Sequence, residues 1–243
     1  MMIVAVIQAR MRSTRLPGKV LKDLGGDTVL GRVVSRVRQC RLVNDLVVAT
    51  STDPADDFIL NECRRLGIRA FRGSEQDVLD RYYRAAREAQ ADVVVRITCD
   101  CPLIDPAVSD KTIQAFLDVR PDYASNVLER TYPRGLDTEV VTLAALECAW
   151  RDAREAYQRE HVTPFLYQHP ERFRLLSVKG DHDYSQYRWT LDTPEDLEFL
   201  RAVYARIVDG QDLAWQDVLN MVEREPDLAE LNRHIIQKAL HER

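Results

Sequence analysis

Apolar residues arrive in short unbroken runs, and between those runs they fall at three- and four-residue intervals. Residues 2–9 (MIVAVIQA), 42–51 (LVNDLVVATS) and 91–100 (ADVVVRITCD) have the length and β-branched content of strands buried on both faces. Between them, TVLGRVVSRVRQC over 28–40 carries its apolar side chains at helical spacing. DPADDFILNECRRLG bears the marks of a helix start and stop, with Pro54 and acids in its first turn and Gly67 at its end. A short third strand is predicted over 67–72 and a helix over 75–90. Strands alternating with helices of this length predict an α/β fold, with a mostly parallel sheet and helices on both faces.

The second half is less regular. A helix follows Pro106, and DYASNVLERTYPRGLDTEVVTL has strand-like pieces on either side of a Pro-Arg-Gly turn. A helix is predicted over 143–157. YRWTLDT reads as another strand, ending at Asp192, before a helix led by Pro194; the tail from Trp215 reads as helix. Without a repeat, a low-complexity tract or a long linker, residues 1–243 are expected to form a single domain.

Composition narrows the function classes. Of the 243 residues 45% are hydrophobic and 30% charged, and the formal net charge is -5, which disfavours a general nucleic-acid binder. The first apolar run is too short to span a bilayer, is interrupted by Arg10 and Arg12, and lacks the layout of a secretory signal, so a cytoplasmic protein that does not engage membranes is expected. Cysteines stand at 40, 63, 99, 101 and 148; no second thiol pair completes a metal site with Cys99 and Cys101, and all five are read as reduced structural thiols.

The richest chemistry follows the first strand. From Arg10 through Arg41 there are nine basic residues and only two acids, with Arg10, Arg12, Arg15 and Lys19 crowded around Gly18. Such a loop is either a solvated basic surface or an anion cradle. Its place at the carboxyl end of a buried strand, where open α/β sheets collect ligands, favours the cradle, with Arg gripping phosphate oxygens in pairs and Lys acting as a point charge. The helix beyond the loop would add partial positive charge. The sequence is neither a Walker A motif nor GxGxxG.

Asp100 closes the VVVRIT strand and Asp192 the WTLD segment; if the sheet brings the two together, they can share Mg²⁺. Asp192 or Thr193 can also cap the following helix. The turn Arg134-Gly135-Leu136-Asp137-Thr138-Glu139 offers a cation and two acids to a polyhydroxylated acceptor, or is a charged surface turn; His161 can orient an acceptor. Ser13 and Thr14 are placed as phosphate ligands, since no spacing suggests a Ser-His-Asp nucleophile.

Taken in order, IQARMRSTRLPGKVL, TCDCPLID and RWTLDTPEDLEFL resemble the cytidylyltransferase superfamily that activates acidic sugars. ATSTDPADD, FRGSEQDVLDRY, YPRGLDTEVV and EHVTPFLYQHPERF resemble its spore-coat polysaccharide biosynthesis, SpsF-type branch, over residues 2–201. The resemblance implies a Rossmann-like, GT-A-like nucleotidyltransferase fold with a small arm or insertion, and expects residues 123–187 to bind the acceptor and support a homodimer, with a helical segment over 211–243. It implies CTP binding by Arg10, Ser13, Arg15 and Lys19, magnesium held by Asp100 and Asp192, and Thr50, Asp53, Asp80 and Arg81 near the nucleoside. Asn126, Arg134, Asp137, Glu139 and His161 form the expected acceptor side. Arg15, Lys19, Asp100 and Asp192 would carry transfer of CMP to an acidic sugar or phosphorylated acceptor with release of pyrophosphate. CDCPLID departs from the GDEP-type segment of Kdo enzymes, so the acceptor does not transfer from them. A GT-A-like glycosyltransferase with a nucleotide-sugar donor and an inactive nucleotide-binding module are the alternatives; the intact STRLPGK loop and both carboxylates favour nucleotidyl transfer.

Overall fold

The computed structural model describes residues 1–207 and 213–237. Its framework is one seven-stranded sheet in the order β3-β2-β1-β4-β6-β5-β7. The strands are β1 (Ile3–Gln8), β2 (Asp45–Ser51), β3 (Arg69–Gly73), β4 (Val93–Thr98), β5 (Tyr123–Ser125), β6 (Glu139–Thr142) and β7 (Leu175–Ser177). β1 pairs in parallel with both β2 and β4, and β2 with β3, while β6 runs antiparallel to both its neighbours.

The apolar runs are strands because both of their faces are covered. In β1, Ile3, Ala5 and Ile7 point into a core beneath α1 (Val29–Val37), α2 (Asp57–Arg65), α4 (Pro106–Val119) and α8 (Pro194–Tyr204). Val4 and Val6 point the other way, toward α3 (Val78–Glu88), α5 (Leu143–Asp152) and α7 (Pro164–Tyr167). Period-two alternation therefore vanishes from the hydropathy pattern, since positions on both faces are buried. α9 (Trp215–Arg224) and α10 (Pro226–Glu230) close the first face with Val218, Val222 and Leu228. Among the described residues no helix is long and apolar enough to cross a membrane. All five cysteines are free thiols, and four are buried.

Three expectations change. The helix predicted over 143–157 is two: α5 stops at Asp152, Ala153 turns extended, and α6 (Ala156–His161) restarts from a capping box between Glu155 and Gln158. YRWTLDT is not a strand. Trp189 N–H donates to Arg134 O (2.7 Å) but Leu191 N–H donates to Asp100 O (2.7 Å), so the segment divides its hydrogen bonds between two partners and no ladder propagates. The helix expected over 28–40 forms as Val29–Val37, but its first turn is capped by Thr28 Oγ1, which accepts from Gly31 N, and that end does not line the cleft described below, so the partial positive charge expected from it is not delivered there. The C-terminal segment is helical at α9 and α10, while 211–212 and 238–243 lie outside the described residues.

Gly135 is what lets the 187–193 segment lie against the Pro-Arg-Gly turn. Its φ is +115°, and a Cβ there would sit 2.7 Å from both the backbone carbon and the oxygen of Trp189. Gly135→Ala is expected to cost at least about 1–3 kcal/mol through backbone strain alone, read as a lower denaturation midpoint; an unchanged midpoint would contradict this close approach.

Candidate active site

The chain leaves β1 for β2 on one side and later inserts β4 on the other, so the carboxyl ends of β1 and β4 diverge at a switch point. A cleft of about 1220 Å³ opens there, lined by Gln8 and Ala9 where the chain leaves β1 and by Thr98, Cys99 and Asp100 where it leaves β4. It exceeds the ~300–1,000 Å³ of a site for one small ligand, and so has room for a nucleotide and an acceptor together.

The basic loop is held in place by a buried acid. Asp56, 1% exposed, accepts from Met11 N (2.7 Å), Ser51 N (3.1 Å) and Ser51 Oγ (2.5 Å), tying the loop to the end of β2. Gly18, at φ +68°, donates its N–H to Met11 O (2.9 Å) and reverses the chain into the short 3-10 turn that begins with Lys19. Ser13 Oγ accepts from Leu16 N at 3.3 Å within the loop. Its arginines reach carboxylates on other elements: Arg10 pairs with Glu160 (3.5 Å), Arg12 with Asp53 (2.8 Å) and Glu75 (3.3 Å), and Arg15 with Asp192 (3.0 Å).

Lys19 lies at the centre. Its ammonium donates to Asp100 Oδ2 (3.0 Å), Asp192 Oδ1 (2.9 Å) and the Leu191 carbonyl (2.7 Å). Burial works against its charge, yet Asp100 and Asp192 together raise its pKa above the ordinary lysine value. Burial likewise opposes ionisation of Asp100, but Lys19 and the Thr98 hydroxyl hold its carboxyl below the usual range. Thr193, rather than Asp192, caps α8 through Asp196 N, so the Asp192 side chain faces the cleft centre.

These two carboxylates form a donor set that fits magnesium. The ion binds proteins through one or two carboxylates and fills its remaining positions with water and phosphate oxygens. Asp100 and Asp192 converge within hydrogen-bond reach of one ammonium, and among the described residues no group of three or more His, Cys, Asp or Glu forms a protein-only cage.

Opposite the loop, Asp137 is gripped bidentately by Arg130 (2.5 and 2.7 Å). Although burial opposes its charge, Arg130 holds its carboxyl below the usual range. Arg134 lines the cleft nearby, and burial, together with Arg130, lowers its guanidinium pKa. His161 lines the cleft from the end of α6. Arg96, an arginine inside an otherwise apolar strand, also reaches the cleft; it pairs with Glu139, whose other oxygen accepts from Tyr123 Oη at 2.6 Å. With Glu139 only 5% exposed, Glu139→Ala would strand the Arg96 charge and is expected to cost about 3–5 kcal/mol. Denaturant titration checks this, and Glu139→Gln should recover part of the loss.

The structure brings Arg10, Ser13, Arg15, Lys19, Arg81, Asp100, Arg134, Asp137, His161 and Asp192 around one cleft, and sets five expected site residues outside its lining. Asp80 is turned away: it holds Arg84 (2.9 Å) and the Trp150 indole N–H (2.8 Å) toward α5. Thr50 is fully buried within β2, and Asp53 caps the short turn at Pro54 while pairing with Arg12. Asn126 is spent on the backbone, donating to Leu136 O and accepting from Thr138 N. Glu139 sits behind Arg96. Sequence reasoning missed Arg96, Asp56, Arg130 and Arg188, which donates to Asp192 Oδ2 at 3.0 Å; only Arg96, a charge in a buried strand, carried a local signal.

A family model described as cytidylyltransferase matches residues 4–223. The chain is 38% identical over 234 residues to the spore coat polysaccharide biosynthesis protein SpsF of Bacillus subtilis, covering 93% of this chain and 96% of that one. A solved cytidylyltransferase from Leptospira borgpetersenii superposes with a TM-score of 0.91 at 33% identity, covering 98% of this chain and all of that one. A CMP:2-keto-3-deoxy-manno-octonic acid synthetase solved in complex with CTP shares the fold at a TM-score of 0.66 and 20% identity, covering 85% of this chain and 99% of that one.

Proposed function

Because this chain belongs to the cytidylyltransferase family, we propose that it uses CTP and Mg²⁺ to transfer CMP to an acidic sugar or related phosphorylated acceptor, releasing pyrophosphate. The observation that carries this reading is the meeting of Lys19 with Asp100 and Asp192 beside Arg15, at the open ends of β1 and β4. The positive groups suited to phosphate oxygens and the carboxylates suited to a divalent cation lie within one hydrogen bond of each other. CTP is the nucleotide bound in the structurally similar CMP-2-keto-3-deoxy-manno-octonic acid synthetase, and SpsF is named for polysaccharide biosynthesis. Both support a precursor-activating role.

In this mechanism an oxygen of the acceptor attacks the α-phosphorus, the new phosphorus–oxygen bond forms, and the bond to the bridging oxygen of pyrophosphate breaks. Arg10, Ser13 and Arg15 hold the triphosphate, and Lys19 stabilises charge as it builds on the phosphate oxygens. Magnesium held by Asp100 and Asp192 would supply charge neutralisation and polarisation of the α-phosphate. Arg81 borders the nucleoside, while Arg134, Asp137 and His161 receive the acceptor, whose anionic group Arg134 is suited to bind. Residues 123–187 are assigned to the acceptor side and to contact within a homodimer.

The test offers purified protein Mg²⁺, each of four nucleoside triphosphates, and a pool of acidic sugars and sugar phosphates, with nucleotide-sugars replacing the triphosphates in a parallel arm. Acceptor-dependent pyrophosphate release is expected with CTP alone. Consumption of a nucleotide-sugar with release of a nucleoside diphosphate would contradict the reading.

A further inference from the structure

Asp192 does not hold its orientation alone. The Arg188 guanidinium, 8% exposed, donates from Nη2 to Asp192 Oδ2 (3.0 Å) and Asp196 Oδ2 (2.9 Å), and from Nε to Asp196 Oδ1 (2.8 Å). Its remaining nitrogen, Nη1, donates to Gln237 Oε1 at 2.8 Å. Asp196 is fully buried and also accepts from the backbone N–H groups of Asp192 (2.9 Å) and Thr193 (3.0 Å). Asn232, 2% exposed, closes the network from the C-terminal segment: its amide donates to Asp196 Oδ1 (2.9 Å) and to the Arg188 carbonyl (2.9 Å).

This arrangement divides the two oxygens of Asp192. Oδ2 is occupied by Arg188 from behind, and Oδ1 is left facing Lys19 and Arg15 in the cleft. A carboxylate tethered at one oxygen has one rotamer to present. The partners of a ligating carboxylate commonly set its affinity for metal by orienting it. Asn232 does not line the cleft and touches none of the groups assigned to substrate. Its influence on the site therefore passes through Asp196 and Arg188.

We infer that Arg188 is a positioning residue for Asp192, and that the C-terminal segment, through Asn232, locks it there and so sets the affinity of the site for a divalent cation. This inference rests on the assignment of Asp192 as a metal-binding carboxylate. A pure packing role for the C-terminal helices would predict loss of stability without a change in cation affinity.

The test uses the full chain and Mn²⁺ as the probe, with bound metal read from the loss of the free Mn²⁺ paramagnetic resonance signal. Asn232→Leu and Arg188→Lys, which keep the positive charge beside Asp192 and change only how it is held, are each expected to weaken Mn²⁺ binding ~10–100-fold. Leu219→Ala, which removes a buried side chain of α9 outside the network, supplies the control: its denaturation midpoint should fall while Mn²⁺ affinity stays at the wild-type value. Asn232→Leu binding Mn²⁺ as wild type does, or Leu219→Ala weakening it equally, overturns the inference. CMP transfer by wild type is measured in parallel. Transfer with unaltered Mn²⁺ affinity in the variants defeats the positioning role alone, whereas absence of both transfer and Mn²⁺ binding in wild type defeats the proposed function and this inference together.

Discussion

Lys19→Met is expected to reduce the rate of CMP transfer by ~10²–10³-fold, the usual loss when one preorganised donor to a developing phosphate or oxyanion charge is removed. The ammonium is set by Gly18 and the turn behind it, not by a flexible surface chain, so its charge is in position before any substrate arrives. Removing it has a second consequence. Asp100 and Asp192 then face each other without the cation they share, and Asp192 keeps Arg15 and Arg188 while Asp100 loses its salt-bridge partner. The variant should accordingly gain more thermal stability from added Mg²⁺ than wild type does, since the ion supplies the missing charge. Lys19→Arg should not restore the rate, because a planar fork cannot place one compact charge between two carboxylates and a carbonyl. Single-turnover kinetics and melting curves with and without Mg²⁺ check all three results.

Asp100→Asn is expected to lower kcat by ~10³-fold while leaving the fold intact, on the scale of several kcal/mol that metal-assisted charge stabilisation contributes. The amide is nearly isosteric and can still accept from Lys19, so packing around the end of β4 survives. What is lost is the negative charge, and with it half of the two-carboxylate set. The loss should appear as a steep rise in the Mg²⁺ concentration needed for half-maximal rate. A variant that kept wild-type kcat at wild-type Mg²⁺ requirement would remove Asp100 from the reaction.

The parallel half of the fold was legible because its strands are covered on both faces. β1, β2 and β4 read as apolar runs of strand length, and Pro54, Gly67 and Pro106 punctuate the helices between and after them. The antiparallel placement of β6 was not legible, because a four-residue strand carries no mark of its direction. β7 is a three-residue strand that is only half-buried, and periodicity cannot resolve so short a segment. WTLD looked like a strand because it is apolar and extended; its bonds go to Arg134 and Asp100 in turn, a long-range fact absent from the local sequence.

The same division runs through the site. Loop residues and strand-end acids were legible because an α/β sheet gathers strand ends at one edge. Asp80 and Arg81 were grouped together, but neighbours on a helix point about 100° apart. Arg81 faces the cleft, so Asp80 turns toward Trp150 and Arg84. Asn126 and Glu139 sit in a polar stretch that resembles a binding turn, yet burial commits them to the backbone and to Arg96. Arg188 and Asn232 are 44 residues apart, and no spacing rule connects them.

Much of the cleft's charge is self-neutralised in the described structure: Arg10 with Glu160, Arg12 with Asp53 and Glu75, Lys19 with both aspartates. Exposed pairs of this kind contribute roughly 0–1 kcal/mol each, so a triphosphate can draw Arg10 and Arg12 away at small cost. Lys19 and Asp192 are more deeply placed, and their pair does not open as readily.

The central claim is transfer of the α-phosphate of CTP to an acceptor in this cleft, and the direct measurement follows that atom. With CTP labelled with ³²P at the α-position, Mg²⁺ and the acceptor pool, the label is expected to appear in an acceptor conjugate with wild type and to be absent from it with Asp100→Asn. Label that stays in CTP, or emerges only as free CMP with every acceptor, would contradict the account.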